Sequence, residues 1–261
     1  MATNKLARDG GEKTISDTVK RTLKPWPPIY PETAEKVKAI YLSGNWSFHG
    51  PYEQEFSRNF AAYCGARHGV FMTNGTVTLE CALHALGVRA GDEVIMPGNT
   101  WLATASAAVY LGAKPVFVDV EPDTLCLDPE RIQEAITAKT KAIIPVHLFG
   151  GMADMDRIMA VSRKTGIPVI EDCAHAHGGI WDGRGLGSIG HIGSYSFQQS
   201  KTLSSGEGGM CVTQSAELAE NSSGSSIWVI PPDKGRGRRE PVRMQGWSAI
   251  TTAVLSFVQL F

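Results

Sequence analysis

One lysine, Lys201, lies between an apolar strand-like run and a glycine-rich turn, in the stretch SYSFQQSKTLSSGEGGM (194–210). Taken alone, such a residue is more often a solvated surface lysine, which needs no special setting. A lysine that condenses with an aldehyde must first lose its proton, so it needs a site that depresses its pKa. Lys201 is therefore a candidate for covalent catalysis if suitable partners surround it.

Three further features occur at the ends of predicted elements. Gly75 and Thr76, in the sequence TNGT, precede a helical stretch, where backbone N–H groups and a hydroxyl can surround a phosphate. Trp101 follows the apolar run EVIMP, and an indole there can lie flat on a planar ring. Asp172 ends the run IPVIED, and its carboxylate can keep a pyridine nitrogen protonated. Each also fits a structural role, as a turn, a core aromatic or a helix cap. Together with Lys201 they describe a site for pyridoxal 5′-phosphate.

Short apolar runs alternate with helical stretches over most of the chain. The predicted strands, rich in Val and Ile, are EVIMP (93–97), PVFVDV (115–120), AIIPVH (142–147), IPVIED (167–172), SYSF (194–197) and GMCVT (209–213). The predicted helices are Thr76–Leu86, Leu102–Leu111, Pro129–Ala138 and Met152–Lys164. This alternation predicts a three-layer α/β/α fold with a mainly parallel sheet. In such sheets ligands bind beyond the carboxyl ends of the strands, where the candidate residues lie.

Several long segments, taken in order, resemble one family. They are GPYEQEFSRNFAAYCGARHGVFMTNGTVTLECAL (50–83), GDEVIMPGNTWLATASA (91–107), KPVFVDVEPDTLCLDPERIQEAIT (114–137), AIIPVHLFGGMADMD (142–156), PVIEDCAHAHGG (168–179) and GSYSFQQSKTLSSGEGGM (193–210). The chain resembles the DegT/StrS-type sugar aminotransferases over about residues 26 to 220. The resemblance implies the large domain of a fold-type-I enzyme that uses pyridoxal phosphate. It also implies a homodimer that moves an amino group from glutamine or glutamate to a keto-sugar or ketocyclitol, in aminosugar, aminocyclitol or antibiotic biosynthesis.

The resemblance also implies a role for each matching position. Lys201 would bind the cofactor covalently and move the proton, and Asp172 would pair with the ring nitrogen. His175 would lie near the phenolic oxygen of the cofactor, and Trp101 would stack on its ring. The residues implied for the phosphate are Gly75, Thr76 and Ser196. The family's active site lies between two subunits, so a homodimer is expected. Sugar dehydratases of the family carry His at the lysine position, and Lys201 argues against that activity.

Composition excludes several other classes of protein. The formal net charge is −1, which favours neither nucleic acid nor an anionic membrane as a partner. The five cysteines are scattered without a CxxC pair, which is typical of reduced thiols in a cytosolic protein. No run reaches the roughly 18 apolar residues that span a bilayer. Cys173, His175 and His177 lack a second paired cluster, so we predict no metal site.

Four other features have structural interpretations. GLGSIG (185–190) matches the pattern of a dinucleotide-binding loop, but it leads into another strand rather than a helix, so we interpret it as a hairpin or loop. A nicotinamide-dependent oxidoreductase is correspondingly the weakest alternative. His147 and His177 are interpreted as structural residues. Glu207 is interpreted as part of a glycine-rich turn.

The two ends of the chain differ from its centre. Residues 1–28 read as a polar N-terminal arm, and residues 29–220 as the large cofactor-binding domain. Residues 221–261 depart from the family pattern: the expected Asn-x-Arg motif and small C-terminal domain are missing, as in a truncated or aberrant tail. This leaves an alternative function, a catalytically impaired homologue that folds and binds cofactor or pairs with a full-length relative.

Overall fold

The computed structural model of the protein describes Gly11, Trp26 and residues 28–45 and 50–223. The predicted N-terminal arm and the predicted aberrant tail therefore lie almost entirely outside the described residues. Within the described ranges, no helix has the length and apolar character required to cross a membrane.

The described chain alternates helices and strands, as the sequence predicts. The helices are α1 (Pro31–Leu42), α2 (Pro51–Cys64), α3 (Gly75–Ala85), α4 (Leu102–Tyr110), α5 (Pro129–Ala135), α6 (Met155–Thr165) and α7 (Ala216–Ser222). The strands are β1 (His68–Met72), β2 (Glu93–Pro97), β3 (Lys114–Val118), β4 (Thr140–Ile143), β5 (Ile170–Asp172), β6 (Ile180–Trp181), β7 (Arg184–Gly185), β8 (Ile192–Ser196) and β9 (Gly209–Thr213).

Seven of these strands follow one another in the order β3-β2-β4-β5-β8-β9-β1. Hydrogen bonds define the segments β3-β2-β4 and β5-β8-β9-β1. Two parallel bridges, Ile143 to Val169 and Val146 to Asp172, connect the segments. Only β9, among these strands, pairs antiparallel with its neighbours β1 and β8. The prediction of a mainly parallel sheet is therefore confirmed.

Alternating strand residues show that helices cover both faces of the sheet. Val94 and Met96 of β2 pack in one cluster with residues of α3 and α4. Ile95, between them, packs in a second cluster with residues of α5 and α6. Val169 and Ile170 divide in the same way between the second and first clusters. Because successive strand residues point to opposite faces, the fold has the three predicted layers.

A third cluster fixes the end of β8. Phe60 of α2 makes edge-on contacts with Tyr195 and Phe197, with ring centroids 4.9 and 5.0 Å apart. All three side chains are buried. Edge-to-face aromatic pairs add to the stabilisation that burial already provides. The loop that carries Lys201 therefore starts from a rigid point.

The sequence located some elements better than others. The predicted strands EVIMP and GMCVT coincide with β2 and β9, and the four predicted helices match α3 to α6 within three residues at each end. The elements that were not predicted are the helices α1, α2 and α7 and the strands β1, β6 and β7. Helix α1 buries none of its residues, so it adds nothing to the core that positions the site.

Candidate active site

A cavity of about 530 Å³ opens beside the carboxyl ends of β5 and β8. The first turns of α3 and α4 close it from the side. All seven residues proposed from the sequence line this cavity: Gly75, Thr76, Trp101, Asp172, His175, Ser196 and Lys201. They come from four separate segments of the chain, so the fold brings together residues that are distant in the sequence.

Asp172 lies at the end of β5 and is only 5% exposed. Thr104 Oγ1 donates a hydrogen bond to Asp172 Oδ2 at 2.8 Å, and the N–H of Ala174 donates to Oδ1 at 3.2 Å. Burial raises the pKa of the Asp172 carboxyl, while these two hydrogen bonds and the nearby charge of Lys201 act in the opposite direction. The carboxylate is therefore a buried acceptor that a cation in the cavity would stabilise.

Lys201 and His175 contact each other in the lining of the cavity. Their Nζ and Nε2 atoms are 2.8 Å apart. Burial lowers the pKa of Lys201, and Asp172 opposes that shift. Burial also lowers the pKa of His175, and the charge of Lys201 adds to this effect. A neutral His175 with its proton on Nδ1 can accept a hydrogen bond from Lys201 through Nε2. The pair can thus hold and pass a proton within the cavity.

The start of α3 meets the end of β8 at one side of the cavity. Asn74 caps the helix, with its Oδ1 accepting from the N–H groups of Thr76 and Val77 at 3.0 Å each. The sequence analysis expected the backbone of this turn to be open to a phosphate, and two of its N–H groups are instead already bonded to Asn74. The Gly75 N–H and the Thr76 and Ser196 hydroxyls are the other donors on this side. The helix dipole still favours an anion here.

Gly75 approaches Ser196 so closely that it leaves no room for a side chain. A Cβ on Gly75 would lie 2.6 Å from Ser196 Cβ. We expect Gly75→Ala to lower the unfolding free energy by about 1–3 kcal/mol, because the overlap forces backbone shifts. It should also weaken binding of inorganic phosphate. Urea unfolding and calorimetric titration measure the two effects.

Gly98→Ala is the matched control for that prediction. Gly98 is exposed, and a Cβ there would meet no atom closer than the Val118 carbonyl oxygen at 3.9 Å. Equal stability of the two variants would show that α3 can move away from β8 without cost.

Trp101 lies immediately before α4, at the edge of the cavity. Its side chain is 73% exposed, although it lines the same space as Asp172 and Lys201. A large apolar side chain left this exposed beside a cavity offers its surface to a planar ligand or to another chain. Stacking on a cofactor ring stays a prediction.

His177 and Glu207 differ in their relation to the cavity. His177 Nε2 donates to the Ser196 carbonyl oxygen at 2.9 Å, and burial lowers the His177 pKa to about 4. Its neutral ring lies among Phe60 and Phe197, outside the cavity lining, in keeping with its predicted structural role. Glu207 lines the cavity, whereas the sequence analysis placed it only in a turn.

The glycine-rich sequence GLGSIG (185–190) surrounds the carboxylate of Glu171 with backbone N–H groups. The fully buried carboxylate accepts from the N–H groups of Ile189 and Gly190 at 2.8 and 2.6 Å, and from that of Gly187 at 2.9 Å. His147 Nε2 lies 3.3 Å from the same carboxylate. The segment is a loop that binds an internal carboxylate, so the interpretation of GLGSIG as a loop is confirmed.

The buried group formed by His147, Glu171 and Cys173 has its ligand atoms within 4.8 Å of one another, close enough to hold a metal ion. His147 Nδ1 accepts from the N–H of Ala153 at 3.1 Å, so Nε2 carries the ring proton and donates to Glu171. Burial raises the pKa of the Cys173 thiol well above its ordinary value and keeps it protonated. These bonds favour the structural role predicted for His147.

Thr100 and Thr104 are two further site residues that were not predicted from the sequence. Thr104 bonds to Asp172, and Thr100 Oγ1 lies 2.8 Å from Thr104 Oγ1. Thr104 comes three residues after Trp101, hence about one helical turn further along α4. This spacing could have predicted Thr104 from the sequence, since it places Thr104 near the same face of the helix as Trp101.

Comparisons with known proteins agree with this geometry. A profile of the DegT/DnrJ/EryC1/StrS aminotransferase family matches residues 28–226. The L-glutamine:2-deoxy-scyllo-inosose aminotransferase of Streptoalloteichus tenebrarius is 48% identical over 206 residues, which are 75% of this chain and 48% of that protein.

Solved structures give the same result for the fold. The crystal structure of 3-amino-5-hydroxybenzoic acid synthase is 38% identical with a TM-score of 0.76, and the match covers 84% of this chain and 58% of that one. NtdA from Bacillus subtilis with bound cofactor PMP is 32% identical with a TM-score of 0.71, covering 82% of this chain and 51% of that one. The chain spans about half the length of the curated relatives it matches.

Proposed function

Because the chain belongs to the DegT/DnrJ/EryC1/StrS aminotransferase family, we propose that it binds pyridoxal 5′-phosphate and transfers an amino group from glutamine or glutamate to a ketocyclitol or keto-sugar. The relative from Streptoalloteichus tenebrarius is named for L-glutamine and 2-deoxy-scyllo-inosose, which makes a ketocyclitol the preferred acceptor. The product would be an aminocyclitol of the kind used in antibiotic biosynthesis.

One observation carries the proposal. An amine with a lowered pKa, a buried carboxylate and a helix start meet in one cavity of about 530 Å³. These three groups have the chemistry that the aldehyde, the ring nitrogen and the phosphate of the proposed cofactor require. When bound, pyridoxal phosphate supplies a carbonyl carbon that condenses with amines and a ring that withdraws electrons.

Lys201 has the central role in the proposed reaction. Burial disfavours the ammonium form and lowers the pKa of Lys201, which favours the neutral amine that can attack a carbonyl carbon. The Lys201 amine, when not bonded to the cofactor, could also take a proton from the carbon that bears the amino group of a bound donor, and His175 could share that proton. His175, 2.8 Å away, can accept a hydrogen bond from Lys201 and so orient its lone pair.

The remaining residues would bind and orient. Asp172 would hold a protonated ring nitrogen, because a buried carboxylate is stabilised by a cation beside it. Gly75, Thr76 and Ser196 would contact the phosphate at the positive end of α3. Trp101 would cover one face of the ring.

Three further proposals concern the setting of the enzyme. We propose a homodimer, because exposed apolar side chains such as Trp101 and Leu102, each 73% exposed, lie beside the cavity and a second subunit would cover them. We propose a cytoplasmic location, since all five cysteines are free and buried. We also retain residues 29–220 as the large cofactor-binding domain.

An assay of the purified chain tests the function. The chain is loaded with pyridoxal phosphate and incubated with L-glutamine and 2-deoxy-scyllo-inosose, and the aminated product is detected by mass spectrometry. We expect an amine that requires both the cofactor and glutamine. A parallel reaction with a nucleotide-linked keto-sugar distinguishes the two acceptor classes.

Two negative outcomes have different meanings. Cofactor binding without product from either acceptor would contradict the aminotransferase and favour the impaired homologue. Absence of cofactor binding by a folded chain would contradict the proposed site itself.

A further inference from the structure

A chain of two hydroxyl groups connects the cavity to the buried carboxylate. Thr100 lines the cavity, and its Oγ1 lies 2.8 Å from Oγ1 of Thr104. Thr104 is fully buried, and its Oγ1 lies 2.8 Å from Asp172 Oδ2. Thr104 lies in the first turn of α4 and Thr100 lies two residues before that helix, whereas Asp172 ends β5. The contact therefore ties the helix to the sheet at the cavity.

The direction of these hydrogen bonds follows from chemistry. An ionised carboxylate can only accept, so Thr104 must donate its single hydroxyl proton to Asp172. Its oxygen can then accept only from the other side, where Thr100 can donate. The order of donation is Thr100 to Thr104 to Asp172. Each bond polarises the next, which strengthens the contact with the charge at the end.

We propose that Thr104 is a positioning residue that keeps the Asp172 carboxylate ionised and fixed in orientation, with Thr100 as its supporting donor. The catalytic significance of this arrangement rests on the proposed function. An ionised carboxylate can hold a protonated ring nitrogen, whereas a neutral carboxyl group cannot.

The charged groups around Asp172 do not keep its carboxyl group ionised in the way that a fixed hydrogen-bond donor does. Lys201 and His175 face it from the cavity, and both titrate themselves. His147 approaches from the loop after β4, with its ring bonded to Glu171 and to backbone. The neighbouring groups Glu171 and Cys173 are acidic and add no positive charge. Burial raises the pKa of Asp172, and the hydrogen bond from Thr104 is the largest of the effects that lower it.

The test compares Thr104→Val, which keeps the shape and removes the hydroxyl, with Thr104→Ser, which keeps the hydroxyl. The carboxyl group of aspartate is labelled with ¹³C, and the Asp172 signal is assigned by its loss in Asp172→Asn. Its titration is then followed by NMR in the cofactor-free chain. We expect the midpoint to move to higher pH by about one pH unit in Thr104→Val, because a hydrogen bond to a charged group is worth that much.

The matched variants separate this role from simple packing. Thr104→Ser should titrate like the parent, and Thr100→Val should shift in the same direction by a smaller amount. Thermal unfolding checks that each variant is folded. An unchanged midpoint in folded Thr104→Val would overturn the proposal. So would equal shifts in the Val and Ser variants, which would indicate loss of packing rather than loss of the hydroxyl.

A second measurement connects the residue to the proposed function. The dissociation constant for pyridoxal phosphate is measured over a pH range that brackets the two Asp172 midpoints found by NMR. We expect Thr104→Val to bind about tenfold more weakly than the parent below both midpoints, about twofold more weakly at the shifted midpoint, and equally well at higher pH. If the parent does not bind the cofactor, the proposed function fails, while the NMR titration still decides the role of Thr104.

Discussion

Lys201→Ala is expected to abolish amino transfer. The variant loses the amine that attacks the carbonyl carbon and that moves the proton, and no other lysine lines the described cavity. Loss of the proton transfer alone lowers a rate by about 10²–10⁴-fold, and loss of covalent attachment lowers it further. Product formation with L-glutamine and a ketocyclitol, followed by mass spectrometry, measures the effect.

A second readout does not depend on turnover. Borohydride treatment of the loaded parent should attach the cofactor irreversibly to the peptide containing Lys201, and Lys201→Ala should show no such mass increase. Lys164→Ala serves as the matched control, because Lys164 is exposed in the last turn of α6. Cofactor attached to another lysine, or activity within a few-fold of the parent, would refute the role proposed for Lys201.

Asp172→Asn is expected to give the second largest loss, at least about 10²-fold in kcat, comparable with removal of one well-aligned electrostatic partner. The amide is almost the same shape as the carboxylate, so packing is preserved while the negative charge is lost. The ring nitrogen of the cofactor would then no longer be held in its protonated form. Steady-state kinetics of the loaded enzyme provides the measurement.

The same variant should stabilise the cofactor-free chain at neutral pH. Burial raises the pKa of Asp172 in the folded state, so the folded chain keeps this proton to higher pH than the unfolded chain. The contribution of this group to the unfolding free energy therefore falls as pH rises from the ordinary aspartate range through the raised pKa. Asp172→Asn has no such loss, so its advantage over the parent should grow across that window.

Urea unfolding at a series of pH values tests the stability difference. Asp182→Asn is the control with the same chemical change, because Asp182 is exposed and its φ of 45° suits asparagine. If the parent is more stable to urea than Asp172→Asn at pH 8, contacts within the cofactor-free chain fully offset the cost of burying the Asp172 charge, and the prediction is wrong.

The residues that could be predicted from the sequence are those that follow strands or begin helices. Lys201, Asp172 and Trp101 each come just after an apolar run, and parallel strands bring their carboxyl ends to one edge. Position along the chain was therefore enough to propose that these side chains share a site, and all of them line the cavity.

Contacts between side chains of distant segments could not be predicted in the same way. The bond from Thr104 to Asp172 joins residues 68 positions apart, and the contact of Lys201 with His175 spans 26. Both contacts depend on side-chain rotamers and on how the segments pack against the sheet. The spacing of apolar residues in the sequence does not predict either. Asn74 is a related case: TNGT indicates a helix start, but not that the side chain occupies two N–H groups there.

The reversed direction of β9 also determines how far Lys201 can move. A parallel neighbour would need a crossover to the opposite edge of the sheet, whereas β9 starts at the edge where β8 ends. Residues 197–208 therefore begin and end at the same edge of the sheet. Two backbone hydrogen bonds join the ends of this segment: the Phe197 N–H donates to the Gly208 carbonyl oxygen at 2.8 Å, and the Ser205 N–H donates to the Phe197 carbonyl oxygen at 3.0 Å. Closing so short a loop costs little chain entropy. Because the backbone of this loop is held at both ends, movement of the Lys201 amine comes from rotation about the bonds of its own side chain and stays within the neighbouring cavity.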